Sequence, residues 1–298
     1  MYSKIRGTLL GRNGGVYMQI KANAKINLAL DVLGKRDDGY HEVSMIMQEV
    51  SLCDIVDIEI TDVPSINLKV KNSPLPCNEN NIAYRAASAF YQKAGIEPSC
   101  TIQLEKHIPV CAGLGGGSSD AAAVLKGLNN LYGNLFTDDE LCNLALSLGA
   151  DVPFFIKGKT AHASGIGERL VHIPSDFNLW AVLIKPDIDI STAEAYRQID
   201  SASFPNLDMS RLIRGAKEGD ISVFANSSGN SFEYVCTNKY PEINNIKNHL
   251  KGCGALFAMM SGSGPTVFGV FDSEDTAQKA FQSYEGSFQG GGVCRFVV

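Results

Sequence analysis

No apolar run in the 298-residue sequence reaches 18 residues, which excludes a membrane-spanning helix. There is no basic arm either: 26 Lys and Arg stand against 32 Asp and Glu, a formal net charge of −6. That balance argues against nucleic acid or an anionic membrane as partner. The eight cysteines, at positions 53, 77, 100, 111, 142, 236, 253 and 294, never form C-x-x-C. They read as reduced thiols of a cytoplasmic chain, mostly small buried hydrophobes. Met1 to Tyr17 is rich in Gly and basic residues but has no apolar stretch, so it is not a secretory signal. It is set aside as a disordered or non-native extension. Internal repeats and low-complexity tracts are absent too.

What the chain does have is a run of four glycines and two serines directly before a helical pattern. The run is Pro109, Val110, Cys111, Ala112, Gly113, Leu114, Gly115, Gly116, Gly117, Ser118, Ser119. Glycines reach backbone angles that let successive N–H groups converge on one anion, and the helix N-terminus adds further free N–H groups and a partial positive charge. The serine hydroxyls can bond a phosphate oxygen or a magnesium ion. No Lys follows the glycines, so this is not the G-x-x-x-x-G-K-[ST] loop. A flexible linker is the competing reading. The flanks oppose it, with strand alternation from Cys100 to Lys106 and an apolar helical stripe of Ala121, Ala122, Val124, Leu125, Leu128 and Leu131. Cys111, within the run, is where an alkylating reagent would interfere with a ligand.

From Ile20 to Val32 every even position is apolar, while Lys21, Asn23, Lys25, Asn27 and Asp31 occupy odd ones. This predicts a long half-buried strand with a polar face, on which Lys25 and Asn27 point the same way. Further strands are expected at 55–60, 66–70 and 100–106, with helices at 81–94, 121–131 and from the Thr137 N-cap to a Gly149 C-cap. The fold class is α+β in two domains, 18–160 and 161–298. In the second, apolar runs 255–260 and 266–271 flank Ser261-Gly-Ser-Gly-Pro265. They read as two strands and a glycine turn, followed by a helix and a last strand at 293–298. That β-β-α-β tail suits a ferredoxin-like layer.

Four segments now stand in order: Ala24-Lys-Ile-Asn-Leu28, Gly39-Tyr-His41, the glycine run, and Ser261-Gly-Ser-Gly264, with Gly149-Ala-Asp-Val-Pro153 between the last two. Together they resemble the GHMP small-molecule kinases over residues 18 to 298. The resemblance implies a ribosomal-S5-like N-terminal domain, a ferredoxin-like C-terminal domain, ATP as co-substrate and Mg2+ with it. The reaction implied is direct in-line phosphoryl transfer to an alcohol in isoprenoid-precursor synthesis, on the 2-hydroxyl of a substrate carrying a cytidine diphosphate. Position and charge stabilisation dominate such a transfer. By the motif match Asp151 is the base and Lys25 its electrostatic partner, able to hold Asp151 ionised and neutralise charge on the transferred group.

The match also implies that Tyr40 stacks on cytosine and His41 bonds its polar edge, with Asn27, Thr192, Tyr196, Gly262, Ser263 and Gly264 around the substrate. Asn81 and Lys106 fall near adenosine, alongside the glycine loop. No carboxylate stands out as a dedicated magnesium ligand. One departure is Cys111-Ala112, where some relatives have Gly-Gly. Kinases of homoserine, mevalonate or galactose share the loop, as does a diphosphate decarboxylase, and a nucleotide-binding regulator would keep it without turnover. Tyr40-His41 favours the cytidine substrate, and the Lys25/Asp151 pair opposes the regulator.

Overall fold

A computed structural model describes Leu9–Leu10 and residues 16–298. The chain forms two compact units. The first takes in residues up to Asn23, Cys53–His107 and Gly116–Lys157; the second takes in Ala24–Leu52, Ile108–Gly115 and Gly158–Val298. The units interleave in sequence, whereas the composition and motif pattern suggest one cut after residue 160. The interleaving comes from two 20-residue strands, each of which changes unit part-way, and from Ile108–Gly115, which belongs to the second unit. The extension expected at 1–17 falls largely on positions 1–8 and 11–15, outside the described residues.

In the first unit, β1 (Leu9–Leu10) pairs antiparallel with the start of β2 (Val16–Lys35), Leu9 opposite Tyr17. The later part of β3 (His41–Ile60) runs antiparallel to β5 (Cys100–Glu105), which lies parallel to β4 (Ile66–Lys71). Helices α1 (Ile82–Ala94) and α2 (Gly116–Leu131) pack together, joined by α3 (Asp138–Leu146) and α4 (Val152–Lys157). Ile58, Phe90, Tyr91, Ile102, Leu104, Val124, Leu125 and Leu128 form the buried interior. Gly127 lets α2 approach the sheet closely, because Ile58 and Ile20 fill the space that a Cβ would need. α3 starts as its sequence dictates, with a reciprocal capping box between Thr137 and Glu140. It ends before Ser147 rather than running to Gly149.

In the second unit, β6 (Thr160–Gly165) pairs with the first part of β3, Val43 opposite Gly165, and with β7 (Arg169–His172). Then follow β8 (Trp180–Pro186), α5 (Thr192–Ile199), α6 (Met209–Glu218), α7 (Ser222–Ser227), α8 (Glu233–Lys239) and α9 (Pro241–Gly252). The chain closes with β9 (Phe257–Met260), β10 (Val267–Phe271), α10 (Glu274–Gln282) and β11 (Phe288–Arg295). The sheet order β11-β8-β10-β9, antiparallel throughout, is the expected ferredoxin-like layer. Its core joins Ile26, Leu28, Leu114, Leu183, Phe224, Phe268 and Phe296.

Three expectations need correction. β2 does not keep a wet polar face: residues 24–32 are buried on both sides, Lys25, Asn27 and Asp31 included. Gly116 to Ser119 are not loop but the first turn of α2. The last strand starts at Phe288, not 293, because the three glycines at 290–292 pair with β8.

Candidate active site

Within the second unit, Lys25 Nζ donates a hydrogen bond to Asn27 Oδ1 at 2.7 Å, and Asn27 Nδ2 lies 3.2 Å from Met45 Sδ. The period of two places the pair on one face of β2. The Lys25 N–H donates to the Leu114 carbonyl at 3.0 Å, which ties the strand to the segment Ile108–Gly115. Ala112 and Leu114 anchor that segment by burial, while Val110 and Cys111 are exposed and Pro109 is half-buried. Cys111, Gly113 and Gly115 have φ of 53°, 75° and 70°. So Cys111 holds a conformation natural to glycine, at a cost of about 1–2 kcal/mol.

The turn between β9 and β10 closes on the same place. A Cβ on Gly113 would overlap the Ser261 carbonyl oxygen, and Ser261 Oγ donates to the Gly113 carbonyl at 3.0 Å. Gly262, with φ 58°, lies against the Gly113 carbonyl and Asn27 Oδ1. Thr192 and Ser263 hydroxyls are 2.7 Å apart, and Gly264 follows with φ 88°. Asn230, buried and absent from the sequence expectations, donates from Nδ2 to the carbonyls of Met260 and Gly262, each at 2.8 Å. It fixes the shape of the turn.

His41 stacks on Tyr196 with ring centroids 4.4 Å apart and planes 24° from parallel. Its Nε2 lies 2.6 Å from Asp200 Oδ1, and Asp200 Oδ2 accepts from Lys35 Nζ at 2.9 Å. A carboxylate accepts only, so the proton of this hydrogen bond sits on Nε2. Hydrogen bonds from His41, then Lys35, hold the Asp200 carboxyl below its usual range. A cavity of about 570 Å3 is lined by His41, Lys35, Asp200 and Phe204 among others. Tyr40 is not part of the stack, and the residue is 60% exposed.

The first unit holds the remaining candidates. Gly116, Gly117, Ser118 and Ser119 form the opening turn of α2, with Ser119 buried. Asp151 is half-buried immediately before α4. Asn81 is the N-cap of α1: Oδ1 accepts from the Ala83 N–H at 3.0 Å and Nδ2 donates to the Pro76 carbonyl at 2.9 Å. Lys106 is buried and paired with Asp54 and, at 2.7 Å, with Asp120. Both side chains are thus already engaged within the protein. Among the described residues no group of three or more His, Cys, Asp or Glu side chains could hold a metal ion.

Models of the GHMP kinase N-terminal and C-terminal domains match residues 81–159 and 212–288. A 4-diphosphocytidyl-2-C-methyl-D-erythritol kinase of Alkaliphilus metalliredigens is 46% identical, covering 89% of this chain and 92% of its own. The chain belongs to the GHMP kinases, among the 4-diphosphocytidyl-2-C-methyl-D-erythritol kinases. A Bacillus pumilus member of this kinase family is 44% identical, with the same two coverages. A crystal structure of 4-(cytidine 5'-diphospho)-2C-methyl-D-erythritol kinase superposes with a TM-score of 0.78 at 34% identity, over 93% of this chain and 99% of the other. Homoserine kinase from Cytophaga hutchinsonii, at 21% identity and a TM-score of 0.77 over 100% and 97%, shares the GHMP fold.

Proposed function

We propose that this chain transfers the γ-phosphoryl group of ATP to the 2-hydroxyl of 4-diphosphocytidyl-2-C-methyl-D-erythritol, in isoprenoid-precursor synthesis. The observation that carries the reading is the convergence of Lys25 and Asn27 with the glycine segment and the Gly262 turn. It brings a buried cation, an amide and positive-φ backbone to one place, in a chain of this kinase family.

The chemistry asks for little covalent help. Charge spreads over the equatorial oxygens of the transferred group, so catalysis rests on positioning and on compensating that charge. Backbone N–H groups of the loop and the opening turn of α2 receive the phosphates, helped by the Ser118 and Ser119 hydroxyls. Lys25 supplies positive charge at the acceptor hydroxyl and at the transferred phosphoryl. Asp151 takes the hydroxyl proton. Magnesium, held largely by nucleotide phosphates, would find hydroxyl ligands in Ser118 and Ser119. When bound it neutralises phosphate charge.

Base recognition falls to Tyr40, His41 and Tyr196. The exposed Tyr40 ring offers a stacking face. With Nε2–H committed to Asp200, the neutral ring of His41 offers Nδ1 as an acceptor, which suits the exocyclic amine of cytosine and not the carbonyl of uracil. Asn81 and the backbone about Lys106 lie on the adenosine side.

The test is ATP consumption by the purified chain with 4-diphosphocytidyl-2-C-methyl-D-erythritol, mevalonate, homoserine or galactose, with product mass checked for one added phosphate. Turnover on the cytidyl compound alone is expected. Turnover on one of the others instead removes the assignment.

A further inference from the structure

Lys106 is the residue that follows β5, and Asp120 is the fifth residue of α2. Their side chains meet at 2.7 Å although 14 positions separate them. The whole glycine segment lies between these two residues in sequence, so their contact closes the stem of the loop. A third group reinforces it. Asp54, on β3 one position before the residue that faces Glu105, accepts from Lys106 Nζ with one oxygen and from the His107 N–H at 2.5 Å with the other. Strand, strand exit and helix are thereby joined through one ammonium group. The Lys106 N–H is itself anchored on the Lys71 carbonyl at 3.2 Å.

All three side chains are buried, at 4% exposure for Lys106, 0% for Asp54 and 2% for Asp120. Such a cluster is an expensive way to hold a fold, since charges lose hydration that their attraction only partly returns and apolar groups of similar volume often do as well. What charges provide beyond apolar packing is a unique geometry, because an ammonium and its acceptors tolerate few arrangements. Two carboxyls share one ammonium here, and among the described residues Asp120 Oδ1 makes no hydrogen bond of normal geometry. Burial raises the Asp120 pKa to about 8, with the Lys106 charge offsetting part of it. Asp120 therefore keeps its proton to a higher pH than an ordinary carboxyl.

We infer that Asp54, Lys106 and Asp120 form a stem clamp that sets the glycine loop for ATP, with Asp54 and Asp120 as positioning residues. The inference rests on the reading of that loop as the ATP-phosphate site. It also changes what Lys106 does: its ammonium serves the loop rather than the nucleotide.

The experiment is steady-state kinetics of the full chain with varied ATP at saturating cytidyl substrate, alongside calorimetric titration with ATP. Asp120→Ala removes the acceptor, and the ATP KM is expected to rise by roughly 10-fold or more, as loop misplacement of about 1 Å can cost on the order of 10²-fold. The kcat and the KM for the alcohol stay within about twofold. Asp120→Asn, which keeps an oxygen for Lys106 and imitates the neutral acid, retains an ATP KM near wild type. A purely structural role would lower the thermal midpoint of Asp120→Ala without moving the ATP KM of the folded enzyme. An unmoved ATP KM, or an Asn variant as impaired as the Ala variant, overturns the clamp. If Asp120→Ala does not fold, Asp120→Ser makes the same comparison, its hydroxyl too short to reach Lys106. A wild type that binds no ATP overturns the clamp and the phosphate-site reading together; ATP binding with an unmoved KM overturns the clamp alone.

Discussion

Replacing Asp120 by Asn should change how folding stability depends on pH, and the sign follows from the burial of this carboxyl. An unfolded Asp ionises near 3.8, whereas in the folded chain desolvation, partly countered by Lys106, raises the pKa to about 8. Between those values the native state holds one proton that the unfolded state has released. Stability from this group is therefore full below the unfolded pKa and is lost as pH rises toward the folded one. The slope has a limit of about 1.4 kcal/mol per pH unit, so on the order of 3 kcal/mol is at stake between pH 5 and 7. Asn does not titrate, so the wild-type stability minus the variant's should fall steadily across that range. Urea unfolding followed by circular dichroism measures it without the screening that guanidinium would impose. Carboxyls with lowered pKa, such as Asp200, held by His41 and Lys35, act below this window with the opposite sign. His162, whose pKa is lowered by burial, contributes equally to both proteins and cancels. A difference that is flat or rises with pH would refute the assignment of the extra proton to Asp120.

Asp151→Asn should lower kcat by roughly 10²–10⁴ with the ATP KM little changed, and near-wild-type turnover would remove Asp151 as the base. Asp200→Ala should raise the KM for the cytidyl substrate and narrow the preference over its uridyl analogue, because His41 loses the partner that fixes its tautomer. An unchanged cytidyl-to-uridyl ratio of kcat/KM would count against that role. Gly113→Ala combines a φ of 75° with overlap against a backbone carbonyl, so a loss of about 2 kcal/mol or more in stability and a fall in kcat/KM are expected. A variant with wild-type melting and kinetics would show that the segment shifts at no cost.

Much of the site was legible because local patterns encode it. Alternation over β2 placed Lys25 beside Asn27, and Asn27 accepts from Lys25. The glycine segment and the Ser261 turn were marked by composition, and the Thr137 capping box by its own spacing. The first part of β3 escaped because it is buried on both faces from Val43 to Gln48, and a strand with two buried faces has no period of two to read. Asp200, Asn230 and Asp54 escaped for another reason. Each acts on a partner far away in sequence, 159 positions for Asp200 and His41 and 52 for Asp54 and Lys106. Single Asp and Asn residues carry no local signal of such pairing.

The residues that were missed share a physical character with those that were found. Lys25, Asn27 and Asp31 are polar side chains placed where β2 is covered on both sides. Asp31 accepts from the Ser231 hydroxyl at 3.0 Å and from the Leu207 N–H at 2.9 Å, so even the one without a proposed chemical role is a joint between distant segments. Burying such a group without partners is costly, so each fixes its neighbours as firmly as they fix it. This gives two kinds of buried polar residue a common origin. Lys25 and Asn27 bond each other beside the Gly262 turn, and in the proposed reaction they act on the substrate. Asp31, Asn230 and the Asp54–Lys106–Asp120 cluster face other parts of the protein, and their polarity is spent on geometry. A mutation in the first group should show itself in kcat or substrate binding at unchanged fold. One in the second should move stability and, where it borders the loop, the ATP KM. That division, rather than burial or charge alone, separates the groups proposed to act on substrate from those that hold them in place.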